Sequence, residues 1–222
     1  MSASLLLVDD HVVIAQAMAG SLGAAGYGPV EYVPTESLDL DGVMAIARRL
    51  QPDVALVDLN LGAERSGVPL IGPLVGLGAR VVAFSASDDP LDRARCLEAG
   101  AVAFLHKATA FDELLSTIGR VAAGEELVPA RQREELLSVL RASRAAGDRR
   151  LARLARLTRR EQDVLSGLLE GRTAAEIAEA SYVSVKTVRT QIESIRRKLE
   201  VKSQLAAVAL AREVGWQGAG GN

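Results

Sequence analysis

Aromatic side chains make up only 3% of the 222 residues, cysteine occurs once, at Cys96, and histidine twice, at His11 and His106. A single cysteine excludes an internal disulfide. In a stretch of helical period it reads as a small buried or half-buried residue, in keeping with a reducing compartment. Two histidines with no partner at ligand spacing leave no zinc site. No apolar run reaches the roughly 18 residues of a membrane-spanning helix. From Met1 the chain passes into a four-residue apolar run that stops at Asp9, with no basic flank of the kind a signal peptide carries. These absences predict a soluble, cytoplasmic protein with no membrane partner. Enzymatic signatures are missing as well: there is no Gly-x-Ser-x-Gly elbow and no phosphate loop ending in Gly-Lys-Ser/Thr, and Gly76-Leu77-Gly78 precedes a strand instead of following one. The chain is therefore not read as an enzyme.

What is present is 49% hydrophobic residues, so the cores must be built from Leu, Val, Ile and Ala. The length suits two small domains. Charge divides along the chain: residues 1–124 carry 8 Lys+Arg against 15 Asp+Glu, 125–149 carry 5 against 5, and 150–222 carry 13 against 8. An acidic front and a basic back point to two kinds of partner.

From residue 4 to 122, short β-rich runs alternate with segments of helical period, the pattern of a doubly wound five-stranded parallel α/β sheet. Strands are predicted at Ser4–Asp9, Val30–Val33, Val54–Asp58, Arg80–Ser85 and Val102–Leu105. Helices are predicted near 11–24, 41–50, 67–77, 90–99 and 111–123. An Arg-, Glu- and Ala-rich stretch from Pro129 to about Leu157 reads as a linker containing a helix. Thr158-Arg-Arg-Glu and Thr173-Ala-Ala-Glu then match the capping box that opens a helix, so a separate all-α domain follows.

In open parallel sheets, ligands bind beyond the carboxyl ends of the strands. Here those ends carry Asp9 and Asp10, Asp58, Ser85, and Lys107 after His106. Each acid taken alone could be a helix cap. Together they call for a divalent cation, since clustered carboxylates repel one another, and hard oxygen donors favour Mg2+. One carboxylate could attack phosphorus while a fixed lysine neutralises the transferred group.

Leu-Val-Asp-Asp-His at 7–11, Leu-Val-Asp-Leu at 56–59, Ala-Phe-Ser-Ala at 83–86 and Phe-Leu-His-Lys at 104–107 resemble a CheY-like receiver domain over residues 1–124. The resemblance implies that Asp58 accepts phosphoryl from a histidine kinase and that Asp9, Asp10 and Asp58 hold Mg2+. It further implies that Ser85 and Lys107 contact the phosphoryl group and that Phe104 is an aromatic switch. Any catalysis would then be limited to self-dephosphorylation. The loop after Asp58, Leu-Asn-Leu-Gly-Ala-Glu-Arg-Ser-Gly, lacks the family's usual Met-Pro and brings Gly67 one residue late.

Farther on, Ser184 reads as an N-cap, after which Val185, Val188, Ile192, Ile195 and Leu199 form an apolar stripe at spacings of a helix. The opposite face presents Lys186, Arg189, Thr190, Glu193, Arg196 and Arg197 toward phosphates and base edges of duplex DNA. A preceding helix from Thr173 to about Ala180 completes a helix-turn-helix. Leu-Thr-Arg-Arg-Glu-Gln-Asp-Val-Leu at 157–165, Glu-Ile-Ala at 176–178 and Ser-Val-Lys-Thr-Val-Arg-Thr at 184–190 resemble the LuxR-type domain of NarL/FixJ regulators. That resemblance adds Thr187 to the DNA-facing residues and makes the last helix, Ser203–Val214, a homodimer contact through Leu205, Val208, Ala209 and Leu210. The expected layout is a receiver at 1–124, a helical linker at 125–156, a LuxR-type domain at 157–216 and a flexible tail at 217–222. The implied function is a phosphorylation-controlled transcriptional response regulator. The alternative is a regulator whose receiver answers to a small-molecule or protein ligand without phosphate.

Overall fold

A computed structural model describes residues 3–34, 37–62 and 65–218; most of the tail expected at 217–222 lies outside them. The chain forms two compact units, 1–141 and 142–222. The first contains five strands, β1 (Leu5–Val8), β2 (Val30–Tyr32), β3 (Val54–Asp58), β4 (Arg80–Ser85) and β5 (Ala103–His106). Alternating with them are α1 (Val12–Ala24), α2 (Leu40–Leu50), α3 (Val68–Gly76), α4 (Pro90–Ala99) and α5 (Phe111–Ala122). The strands pair in parallel in the order β2-β1-β3-β4-β5. This is the expected doubly wound sheet, with element ends within a residue or two of those predicted.

Strand side chains alternate between the two faces, which is why every strand is rich in apolar residues. Leu6, Val8, Ala55, Val57, Val81 and Ala83 pack with residues of α2, α3 and α4, among them Cys96. Leu5, Leu7, Leu56, Val82, Phe84 and Leu105 pack with Leu22 of α1 and with Leu114, Ile118 and Val121 of α5. Burying each Leu or Ile side chain contributes about 1.5–3 kcal/mol. Burial also pushes the Cys96 thiol up to about 12, beyond reach as a thiolate nucleophile at neutral pH.

The division between units falls inside α6 (Ala130–Leu154), a single 25-residue helix where a helix-containing linker was predicted. The second unit adds α7 (Arg159–Leu169), α8 (Ala174–Ala180), α9 (Val185–Leu199) and α10 (Gln204–Glu213). Both predicted capping boxes form: Thr158 with Glu161 opens α7, and Thr173 with Glu176 opens α8. No helix among the described residues is long and apolar enough to cross a membrane.

Candidate functional site

The order in which strands are added reverses at β1, whose neighbours are β2 and β3, so a crevice opens beyond the carboxyl ends of β1 and β3. Register decides what lines it. Val8 is level with Val57, which sets Asp9 beside Asp58; Asp58 is level with Phe84, and Ser85 with His106, one residue short of Lys107. The Lys107 ammonium reaches back to both acids, 2.6 Å from Asp58 Oδ2 and 2.9 Å from Asp9 Oδ2, with its Nζ 5.7 Å from the centre of the Phe84 ring. Asp58 Oδ1 accepts from Asn60 N–H at 3.0 Å, and Asp9 Oδ1 accepts from His11 N–H at 2.8 Å.

None of the three carboxylates caps the helix after its strand: the N-cap of α1 is His11 and that of α3 is Gly67. Asp9 and Asp58 are buried, and their donor atoms with those of Asp10 and His11 all lie within 4.8 Å of one another. Burial pushes the Asp58 carboxyl up more than its bonds with Lys107 and Asn60 pull it down. Burial alone would lower Lys107, but its hydrogen bonds with Asp58 and Asp9 outweigh this and raise it. One lysine set against three acids leaves the crevice short of positive charge. Asp10 Oδ1 is buried and receives no hydrogen bond of acceptable direction, although His11 Nδ1 stands 2.8 Å away. An orphaned carboxylate oxygen beside two more hard oxygen donors suits a divalent cation of the Mg2+ kind.

Ser85 and Phe104 are placed less simply. The Ser85 hydroxyl accepts from Ser87 N–H at 3.0 Å, bracing the turn after β4, and its backbone carbonyl accepts from Lys107 N–H at 2.8 Å. Phe104 is half-buried against the core formed with α2, α3 and α4.

Two contributions escaped the sequence reading. His11, adjacent to the acid pair, contacts both Asp9 and Asp10 through Nδ1. Gly67 lies so close to the strand that a Cβ there would stand 1.9 Å from the Asp58 carbonyl oxygen. What looked like a late glycine is the residue that lets the chain pass over Asp58. Ala63 and Glu64 of the same loop lie outside the described residues. A cleft of about 780 Å³ at the opposite end of the sheet, among Ser4, Tyr27, Gly28, Asp53 and Gly119, brings together no comparable set of charges.

In the second unit, Val188, Ile192, Ile195 and Leu199 of α9 are buried and Val185 partly so, as the stripe predicts. Lys186, Thr187, Arg189, Thr190, Glu193 and Arg197 are exposed on the other face. Ser184 caps the helix by accepting from Thr187 N–H at 3.1 Å, and Thr190 Oγ1 donates to the Lys186 carbonyl at 3.0 Å, leaving its methyl group free. Two expectations are corrected. Arg196, expected to be exposed on that face, is half-buried with its guanidinium bonded to the Lys202 carbonyl just past the helix. Leu210 is 8% exposed and belongs to the core, because its side of α10 faces α7 and α9. Leu205, at 77% exposure, and Ala209 are open to solvent, with Val208 half-buried.

Glu161 does more than close its capping box. It is buried, and besides Thr158 it accepts from Ser194 Oγ at 2.7 Å and Lys198 Nζ at 2.6 Å, tying α7 to α9. Burial alone would raise its pKa. The bonds from Lys198, Thr158 and Ser194 win and hold it at about 2, against a usual value of 4.5. A depressed acid stabilises fully above its unfolded value, and the contribution disappears as pH falls through the folded one. The second unit should therefore lose about 2 kcal/mol between roughly pH 4.5 and 2 through this group. Trp216, the sole tryptophan, packs against that unit's core, so denaturant titrations followed by its fluorescence check this directly. Glu161→Gln should be less stable at neutral pH and lack that increment of acid dependence; equal dependence in both proteins would refute the assignment.

Comparison with known proteins bears on both units. Residues 5–119 match the response regulator receiver domain, and residues 155–211 match the luxR family of bacterial regulatory proteins. The nitrate/nitrite response regulator protein NarL of Escherichia coli K12 is 29% identical over 207 residues, covering 92% of this chain and 93% of that protein. A nitrate/nitrite response regulator homolog of Haemophilus influenzae is 31% identical over 208 residues, covering 93% and 94% respectively. Among solved structures, RcsB of Salmonella typhimurium shares the fold with a TM-score of 0.53 at 20% identity, over 95% of this chain and all of that one. A structure of an RcsB–DNA complex has a TM-score of 0.50 at 20% identity, over 96% and 100%.

Proposed function

The chain belongs to the response regulators that join a receiver to a LuxR-type DNA-binding domain, and from that membership we propose that phosphorylation of Asp58 by a histidine kinase controls its binding to promoter DNA. The observation that carries the reading is the position of Lys107, within hydrogen-bonding reach of both Asp58 and Asp9 at the carboxyl end of the sheet. Its ammonium is already where negative charge would gather on an oxygen of the transferred group.

In this reading Asp58 Oδ1 stays pinned by Asn60 N–H, and Oδ2 turns from Lys107 to attack phosphorus. The new O–P bond forms as the bond to the kinase's imidazole nitrogen breaks. Lys107 and Ser85 then receive the phosphoryl oxygens, and Phe104 responds to the movement of Ser85. Asp9, Asp10 and Asp58 would hold Mg2+, which supplies the positive charge that lets a phosphoryl group approach three carboxylates.

We assign the receiver to 1–124, the linker to 125–156, the DNA-binding domain to 157–216 and the tail to 217–222, in a cytoplasmic protein that dimerises when phosphorylated. Leu205, Val208 and Ala209 of α10 form the dimer contact, and Lys186, Thr187, Arg189, Thr190, Glu193 and Arg197 of α9 face the DNA. The solved RcsB–DNA complex supports a DNA partner for this architecture.

Asp10→Ala tests the metal half of the scheme. Loss of a direct carboxylate should weaken Mg2+ binding by at least the roughly 10-fold that removal of an outer partner of a metal ligand costs. Labelling by acetyl phosphate should slow in parallel. Calorimetric titration with Mg2+ reads the first effect, and an unchanged isotherm would remove Asp10 from the site.

A further inference from the structure

Tyr182 lies in the turn between α8 and α9, two residues before the N-cap Ser184, with 97% of its surface open to solvent. No other large apolar or aromatic side chain among the described residues is as exposed. Its backbone is left-handed, at φ 56°, a conformation shared among the described non-glycine residues only with Gln51 and Glu200. Those two are polar and cap the ends of α2 and α9.

The fold accounts for the backbone of Tyr182 but not for its ring. Val183 N–H donates to the Ala178 carbonyl at 3.0 Å and Tyr182 N–H to that of Glu179 at 3.2 Å, closing the end of α8. A residue placed just past a helix in this way is ordinarily Gly or Asn, which enter the left-handed region most cheaply. An aromatic there gives up conformational freedom without gaining a core contact. Basic residues flank it in the chain: Lys186 and Arg189 are exposed on the first turns of α9, and Arg160 Nη2 makes a long 3.5 Å bond to the carbonyl of Ser181, the residue before it.

We propose that Tyr182 is a DNA-contacting residue whose phenolic hydroxyl donates to a backbone phosphate at the edge of the groove that α9 enters. The proposal rests on the reading of α9 as the groove helix. A short turn leading into that helix brings its side chains to the sugar–phosphate backbone, where tyrosine hydroxyls are common donors. The contact positions the helix without reading sequence. Because the donor is neutral it releases no counterion, so it should add affinity without adding to the salt dependence, unlike a lysine or arginine at the same place.

The test is a salt-dependent binding titration of the full chain on a duplex enriched from a random pool and on a mixed-sequence duplex. Tyr182→Asn should fold at least as well as the parent, since Asn suits the backbone. It should bind both duplexes about fivefold more weakly, the typical worth of one neutral hydrogen bond, with an unchanged salt slope. Tyr182→Phe, lacking only the hydroxyl, should lose as much. If Tyr182→Asn binds like the parent while Arg189→Ala is weakened, the inference fails and the reading of α9 stands. If neither variant is weakened, the reading of α9 fails with it. A Tyr182→Phe protein that binds like the parent would overturn the phosphate hydrogen bond.

Discussion

Replacing Asp58 with Asn is expected to abolish covalent phosphate uptake from acetyl phosphate and Mg2+ while leaving the fold intact. An amide of nearly the same shape can keep the bond from Asn60 N–H at Oδ1, but its nitrogen has no lone pair free to attack phosphorus. The variant loses one of the two acids that hold Lys107 and retains the other, Asp9 at 2.9 Å. Burial already disfavours the Asp58 charge, and Asp9 remains to hold Lys107, so the fold should persist without it. Mass spectrometry of the peptide containing residue 58 reads the outcome. Labelling of the variant at the parental level would move the phosphoacceptor elsewhere. A parent that binds Mg2+ but never labels would favour control of the receiver by a bound ligand.

Arg189→Ala carries the second large expectation. Arg189 projects from the face of α9 opposite the buried Val188, Ile192, Ile195 and Leu199, and its exposed guanidinium can make a bidentate contact with guanine. If it reads a base edge, the substitution should cost about 1–3 kcal/mol on the preferred operator and relax discrimination at one base pair. If it meets phosphate, all sequences should lose alike and the salt slope should fall by about one. If phosphorylation pairs two chains, as proposed, phosphorylated parent should bind the operator more tightly than unphosphorylated parent, because two linked helices engage two half-sites together. Equal binding by parent and variant at every salt concentration would take α9 out of the interface.

The alternation of short β runs with helical segments was enough to read the sheet, because a strand covered on both faces is apolar at every position and its polar residues collect at its ends. Thus the sequence alone places Asp9, Asp58 and Lys107 in one crevice. What could not be read depends on distances between backbones. The need for glycine at position 67 comes from the proximity of the Asp58 carbonyl, which the sequence does not show. Leu210 and Leu205 look alike in sequence, yet one is buried and the other exposed, because only the side of α10 that carries Leu210 packs against α7 and α9. Arg196 was assigned to the basic face by helical period, but a nearby free carbonyl at Lys202 claimed it. Glu161 was legible as half of a capping box; its bonds to Ser194 and Lys198, 33 and 37 residues away, were not.

The reach of Lys107 back to Asp9 spans 98 residues, and its bond with Asp58 spans 49. Contacts of such sequence separation form slowly, since a long chain must be closed before they return any energy. The lysine arrives just past β5, an edge strand, so a partly assembled sheet that contains β1 and β3 but lacks β5 holds its acids side by side without their ammonium. Pairing of β5 and delivery of the ammonium that faces those acids are one event. A chain emerging from synthesis gains that counter-charge only after residue 107 has appeared, which couples the cooperativity of the first unit's folding to the same charge that its site uses.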